Sequence, residues 1–85
     1  MCFVYIIHSP SADVYYVGQT NDFSLRLQRH NSGQETYTRK YAPWEKVLVL
    51  SKPSRSEAMK LERKLKNLNR ERLLAFIEKY SADGI

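Results

Sequence analysis

The chain opens on an unbroken apolar stretch. Residues 2–8 are rich in β-branched and aromatic side chains and predict a buried strand. Ser9-Pro10-Ser11-Ala12-Asp13 supplies turn chemistry, and Val14 to Gln19 predicts a second strand, so the two form a hairpin. Asn21 or Asp22 then caps a helix carried by Phe23, Leu25, Leu27 and His30 and stopped by Asn31-Ser32-Gly33. Residues 32–44 are polar and predict a loop, and Glu45 to Leu50, led in by Pro43, predicts a third strand. Ser54-Arg55-Ser56-Glu57 is a capping box that opens a second helix, with Ala58, Leu61, Leu65 and Leu68 as its apolar stripe. Asn69 caps a third helix, to which Leu73, Leu74, Phe76, Ile77 and Tyr80 give apolar surface.

The order β-β-α-β-α-α predicts an α+β fold of the broad α/β class. One hairpin, a later strand and three amphipathic helices share a core as a small three-stranded antiparallel sheet flanked by helices. Residues 1–80 make one domain and residues 81–85 a flexible tail. A length of 85 residues fits one small core, and a hydrophobic share of 42% with 27% charged residues is that of an ordinary globular protein. The one cysteine, Cys2, can make neither an intramolecular disulfide nor a multi-cysteine zinc site, which predicts a reducing, cytoplasmic setting. No apolar run is long enough to span a membrane, and the N-terminal pattern is that of a strand rather than a signal peptide.

Charge narrows the function. The net charge is +5, and residues 52–72, with eight Lys and Arg against three Glu, carry all of it. A basic segment of this density attracts polyanions, nucleic acid first, although a solvated helix face has the same composition.

The residues that bear chemistry each have a plainer explanation. Most of the six tyrosines suit half-buried strand positions. Directly opposite residues of an antiparallel pair share a face, so Tyr5 and Tyr16 share one if Tyr5 pairs with Gly18, and a one-residue slip separates them. Gly18 leaves room for a phosphate or a neighbouring ring, or marks a bulge. Arg26 and His30 lie four apart on one helix face, where guanidinium and imidazole can grip a phosphate. Taken alone, a surface arginine and a histidine favoured by the helix C-terminus is the stronger account. Glu62 falls about 40° from Ala58 and about 60° from Leu65, at the rim of the apolar stripe. There it either reaches the sheet edge or pairs with Lys66, a contact of about a few tenths of a kcal/mol.

In order, these residues resemble the GIY-YIG nuclease family. Phe3-Val4-Tyr5 stands where the family has its first tripeptide, with only the tyrosine kept. Tyr16-Val17-Gly18 looks like the second, with valine in the middle. The run from Asn21 to Asn31 resembles the family's first helix, which carries an arginine and, four residues on, a His or Tyr. Ser56 to Glu62 resembles the segment that ends in the metal-binding glutamate. The likeness covers nearly the whole chain and is nearest to small stand-alone bacterial proteins related to the nuclease module of an excision-repair incision subunit. Two positions depart: Gln19 stands where many members have lysine, and the late asparagine has no clear equivalent, Leu74 lying nearer its spacing.

The resemblance implies an endonuclease that hydrolyses phosphodiester bonds in nucleic acid, DNA before RNA, with little sequence specificity and a place in DNA repair. The implied catalytic residues are Tyr5, Tyr16, Arg26, His30 and Glu62, with Glu62 holding one Mg²⁺ or Mn²⁺ ion. Tyr16 is the general base. A phenol ordinarily ionises at about 10, so nearby cations must favour its anion. Arg26 balances transition-state charge, Tyr5 orients the water or Tyr16, and His30 bonds the phosphate or relays a proton. Gly18, Gln19, Arg29, Arg39, Lys40, Arg63 and Lys66 are expected to contact the nucleic acid. A catalytically weak or inactive nucleic-acid-binding module is the competing class, and an adaptor with purely structural tyrosines the third. No membrane partner is expected. The oligomeric state is not legible in the sequence, a monomer being the simplest case.

Overall fold

The computed structural model describes residues 2–83. Strands β1 (Cys2–Ser9), β2 (Val14–Thr20) and β3 (Glu45–Lys52) form one antiparallel sheet in the order β2-β1-β3. With helices α1 (Phe23–Asn31), α2 (Arg55–Lys66) and α3 (Arg70–Asp83), the chain runs β-β-α-β-α-α, as its pattern predicts. The central strand explains the unbroken apolar run at the N-terminus. β1 is hydrogen-bonded on both sides and covered on both faces, so Val4, Tyr5, Ile6 and Ile7 are all buried.

The two faces of the sheet carry different cores. Val4, Ile6, Val17 and Leu48 pack against Ala58 and Leu65 of α2 and Leu73 of α3. Tyr5 and Ile7 pack on the other face with Trp44, bordered by Phe23 and Leu27 of α1 and by Tyr16. Register assigns the side chains to these faces: Tyr5 pairs with Gly18 and Ile7 with Tyr16, which puts both tyrosines on the α1 side.

Capping follows the expected chemistry. Asp22 Oδ1 accepts from Leu25 N at 3.1 Å, Ser54 Oγ from Glu57 N at 3.2 Å and Asn69 Oδ1 from Arg72 N at 2.9 Å. After α1, Gly33 takes a φ of 84°, a left-handed turn that favours glycine. The stripe on α2 also holds, with Ala58 and Leu65 buried and Leu61 and Leu68 half-buried.

Two expectations are corrected. Thr38–Tyr41 is a 3₁₀ helix rather than loop, because the buried Thr38 and Trp44 tie this polar segment to the core: Trp44 Nε1 donates to Thr38 O at 2.9 Å. Leu74 points outward, while Leu73 one position earlier is buried. α3 runs on through residues 81–83 of the expected tail, and residues 84–85 lie outside the described residues.

Candidate active site

Tyr5 lies at the bottom of the site. Its ring covers Gly18, where a β-carbon would stand 2.5 Å from its hydroxyl oxygen. The space left by Gly18 therefore goes to this ring rather than to a phosphate. Phe23 and His30 close the other sides, with ring centroids 5.3 and 5.9 Å from that of Tyr5. Tyr5 Oη and His30 Nε2 are hydrogen-bonded at 2.9 Å, and His30 Nδ1 and Thr38 Oγ1 at 2.7 Å. Burial, reinforced by neighbouring Tyr16, pushes the Tyr5 phenol up to about 12, against the downward pull of the Arg26 guanidinium. Burial likewise lowers the His30 pKa, with Glu35 pulling it back up and Arg26 and Arg29 lowering it further. Tyr5 is thus a phenol that keeps its proton at neutral pH, locked onto a buried imidazole.

His30 is buried, and its two ring nitrogens are hydrogen-bonded to Tyr5 and Thr38. Thr38, its second partner, is a site residue that sequence reasoning missed. It lies in a segment whose polarity reads as loop, and only the tertiary fold brings its hydroxyl to His30.

Tyr16 sits closer to solvent because β2 is an edge strand. Its ring centroid lies 6.5 Å from Tyr5, 5.3 Å from His30, 6.2 Å from Trp44 and 6.0 Å from Tyr37. The Lys66 ammonium stands 5.8 Å from the Tyr16 ring centroid. Lys66 also reaches Glu62, with Nζ 3.1 Å from Oε2, while Gln19 Nε2 donates to Oε1 at 3.0 Å. Glu62 is a half-buried carboxylate, its side chain 19% exposed, held against the edge of β2 from the α2 side. Its two expected roles, sheet-edge carboxylate and partner of Lys66, are both realised.

Arg26 is adjacent to Tyr5 and also lines a cavity of about 310 Å³ with Gln19, Thr20 and Arg55. Arg26 and Arg55 take part in no ion pair among the described residues. Two guanidiniums and an amide on one cavity suit an anion with several oxygens. Arg55 is a second residue missed, submerged in the general basicity of residues 52–72.

The other expected contacts divide by environment. Arg39 and Arg63 are exposed, Lys40 lies over the rings of Tyr37 and Tyr41, and Arg29 is paired with Glu35 at 3.3 Å. Arg70 serves the fold instead. Its guanidinium holds the hairpin turn through Asp13 O and Oδ1, at 2.9 and 2.8 Å, and stands 5.2 Å from the ring centroid of Tyr15.

Among the described residues, no three His, Cys, Asp or Glu side chains converge, and the carboxylate at the sheet edge is that of Glu62. Mg²⁺ retains several waters and often uses one or two carboxylates beside substrate phosphates, and a single hard oxygen donor fits that habit. The Lys66 ammonium on Oε2 shows that this oxygen accepts a positive group where it stands. No helix of the described residues is long and apolar enough to cross a membrane.

Similarity to known proteins agrees with this geometry. The UPF0213 protein BH0048 of Halalkalibacterium halodurans is 35% identical over 71 residues, 82% of this chain and 74% of that protein. The UPF0213 protein VNG_2274C of Halobacterium salinarum is 40% identical over 68 residues, 79% and 87% of the two chains. The solution NMR structure of UPF0213 protein BH0048 from Bacillus halodurans has a TM-score of 0.60 and 32% identity, covering 92% of this chain and 84% of that one. Residues 1–79 match the GIY-YIG catalytic domain, and the chain therefore belongs to the GIY-YIG nuclease family, among its small UPF0213 members.

Proposed function

We propose that this protein is an endonuclease that hydrolyses phosphodiester bonds in nucleic acid, DNA before RNA, with one Mg²⁺ or Mn²⁺ ion held by Glu62. The observation that supports the reading is Lys66, which stands against the Tyr16 ring and pairs with Glu62, itself bonded by Gln19, at the sheet edge beside the Tyr5–Arg26 pair. Glu62 would hold the divalent cation, which would supply Lewis acidity to the scissile phosphate and charge stabilisation to the leaving oxygen.

The chain's own residues do the rest. As its phenolate, Tyr16 takes the proton of the attacking water at Oη while the new P–O bond forms and the bond to the leaving oxygen breaks. Tyr5, pushed up to about 12 by burial, keeps its proton and acts by position, packed beside Tyr16 and tied to His30. Arg26 balances the charge that the transition state gains. Arg55, across the same cavity, binds a neighbouring phosphate. Arg39, Lys40 and Arg63 add sequence-independent attraction to the backbone, which fits low sequence specificity.

Cleavage of branched and single-stranded substrates with and without Mg²⁺ tests this. Divalent-dependent cutting that disappears in Glu62→Ala and Tyr16→Phe is the expected result. Tyr16→Phe cutting as well as the parent protein would remove Tyr16 from the chemistry. Salt-sensitive binding with no cutting by any form would leave a binding module. That second reading draws on the Glu62 carboxylate, whose oxygens are both engaged by Gln19 and Lys66.

A further inference from the structure

The geometry points to Tyr37 as a stacking platform for an unpaired nucleobase next to the scissile phosphate. The inference rests on the reading above, that this edge of the sheet takes nucleic acid, and names what the neighbouring base meets.

Tyr37 is 56% exposed, yet its ring is not loose. It lies 6.0 Å from Tyr16 at an interplanar angle of 32°, and edge-on to Tyr41 at 5.7 Å. An aromatic ring fixed by two others while more than half of the residue faces water is already ordered for stacking. It also borders a cavity of about 430 Å³ along the β2 edge, within the roughly 300–1,000 Å³ of small-ligand sites. Leu65, Leu68 and Leu73 give that cavity an apolar lining, and Tyr16 and Lys66 connect it to the candidate active site.

Charge selects the occupant. The Lys40 ammonium stands 5.6 Å from the Tyr37 ring centroid, and Lys66 lies against the adjoining Tyr16. Flat aromatic surface flanked by cations, on a chain of net charge +5, matches a flat base carried on an anionic backbone. A base pair inside a duplex has both faces stacked and cannot take up this position, so the platform favours a strand with at least one unpaired nucleotide.

The test measures binding without added metal, by fluorescence anisotropy, of three probes: a short single strand, the same backbone with abasic sugars, and a blunt duplex. The parent protein is expected to prefer the base-bearing strand over its abasic copy. Tyr37→Ala is expected to erase that preference, about a tenfold loss for one base–aromatic stack, and to leave the abasic and duplex affinities unchanged. Tyr37→Phe keeps the ring and is expected to keep the preference. Equal losses by Tyr37→Ala on all three probes, or no loss on any, would overturn the inference, as would a parent protein indifferent to the bases. A base preference that depends on Tyr37 in a protein that cuts nothing would sustain the platform while the nuclease reading failed.

Discussion

Replacing Gly18 with alanine asks whether Tyr5 is as tightly seated as its surroundings imply. The new methyl carbon would stand 2.5 Å from Tyr5 Oη, 2.6 Å from Cζ and 3.1 Å from Cε2. Comfortable contact between carbons is about 3.5–4.0 Å, so the ring must retreat by roughly 1 Å. It has nowhere to go, because Phe23, His30 and Tyr16 surround it and the residue is 1% exposed. Overpacking of this kind costs about 1–3 kcal/mol, and a displaced hydroxyl gives up about 1 kcal/mol from its bond to His30. Reduced freedom of the unfolded chain returns about 0.4–1 kcal/mol. The net loss is about 1–3.5 kcal/mol, which for a domain of this size lowers the melting temperature by roughly 5–25 °C. Thermal and urea unfolding followed by circular dichroism measure it. Truncating the ring in Tyr5→Leu should remove most of the added cost, so the double-mutant cycle should show strong coupling. A Gly18→Ala protein that melts within about 2 °C of the parent, or costs that simply add in the cycle, would refute the reasoning.

Thr38→Val keeps the shape of the side chain but leaves His30 Nδ1 without its partner. The expected loss is about 1–3 kcal/mol in urea unfolding, with Thr38→Ser far milder. His30 makes stability depend on pH. Its folded-state pKa is lowered, chiefly by burial, so the unfolded chain binds its proton more readily. The stabilisation is complete above the ordinary histidine value of about 6.5 and is lost as pH falls through the depressed folded-state value, so melting curves across this window should flatten in His30→Asn. Under the proposed function, Arg63→Ala should reduce the salt slope of duplex binding by about 0.9, the share of one phosphate contact, whereas Arg70→Ala should leave it unchanged because Arg70 is engaged with Asp13. Arg26→Ala should depress cleavage more than affinity, as compared by single-turnover rates and anisotropy, because its charge counts most in the transition state.

Local chemistry was enough to place the elements. Asp22, Ser54 and Asn69 cap the helices they precede, and the Ala58–Leu65 stripe faces the core, because caps and helical periods are set by residues a few positions apart. What the sequence concealed depends on distant partners. Thr38 reads as one polar loop residue among many until the fold brings it to His30, eight positions away, and Trp44 donates to its carbonyl. Arg70 and Arg55 belong to one basic run, yet one holds a turn 57 positions away and the other lines a cavity with Arg26. Charge counting treats them alike, since composition records how much charge is present and not where it points. The two explanations of Glu62 stood level for the same reason. Helix geometry placed it at the rim of the stripe, but only the sheet edge brings Gln19 to its other oxygen.

The sheet order gives the two tyrosines different surroundings. Tyr5 belongs to the central strand, where both faces are covered, so its hydroxyl is cut off from solvent and its phenol is pushed up to about 12. Tyr16 belongs to the edge strand, two pairs along the same face, where Lys66 of the helix on the far side reaches its ring while paired with Glu62. Gly18 joins the two positions, since it lies opposite Tyr5 on the strand that carries Tyr16 and has no side chain to keep the Tyr5 ring away. Two tyrosines on one face are therefore not interchangeable: burial cuts one off from water, and the open edge leaves the other half-exposed to it.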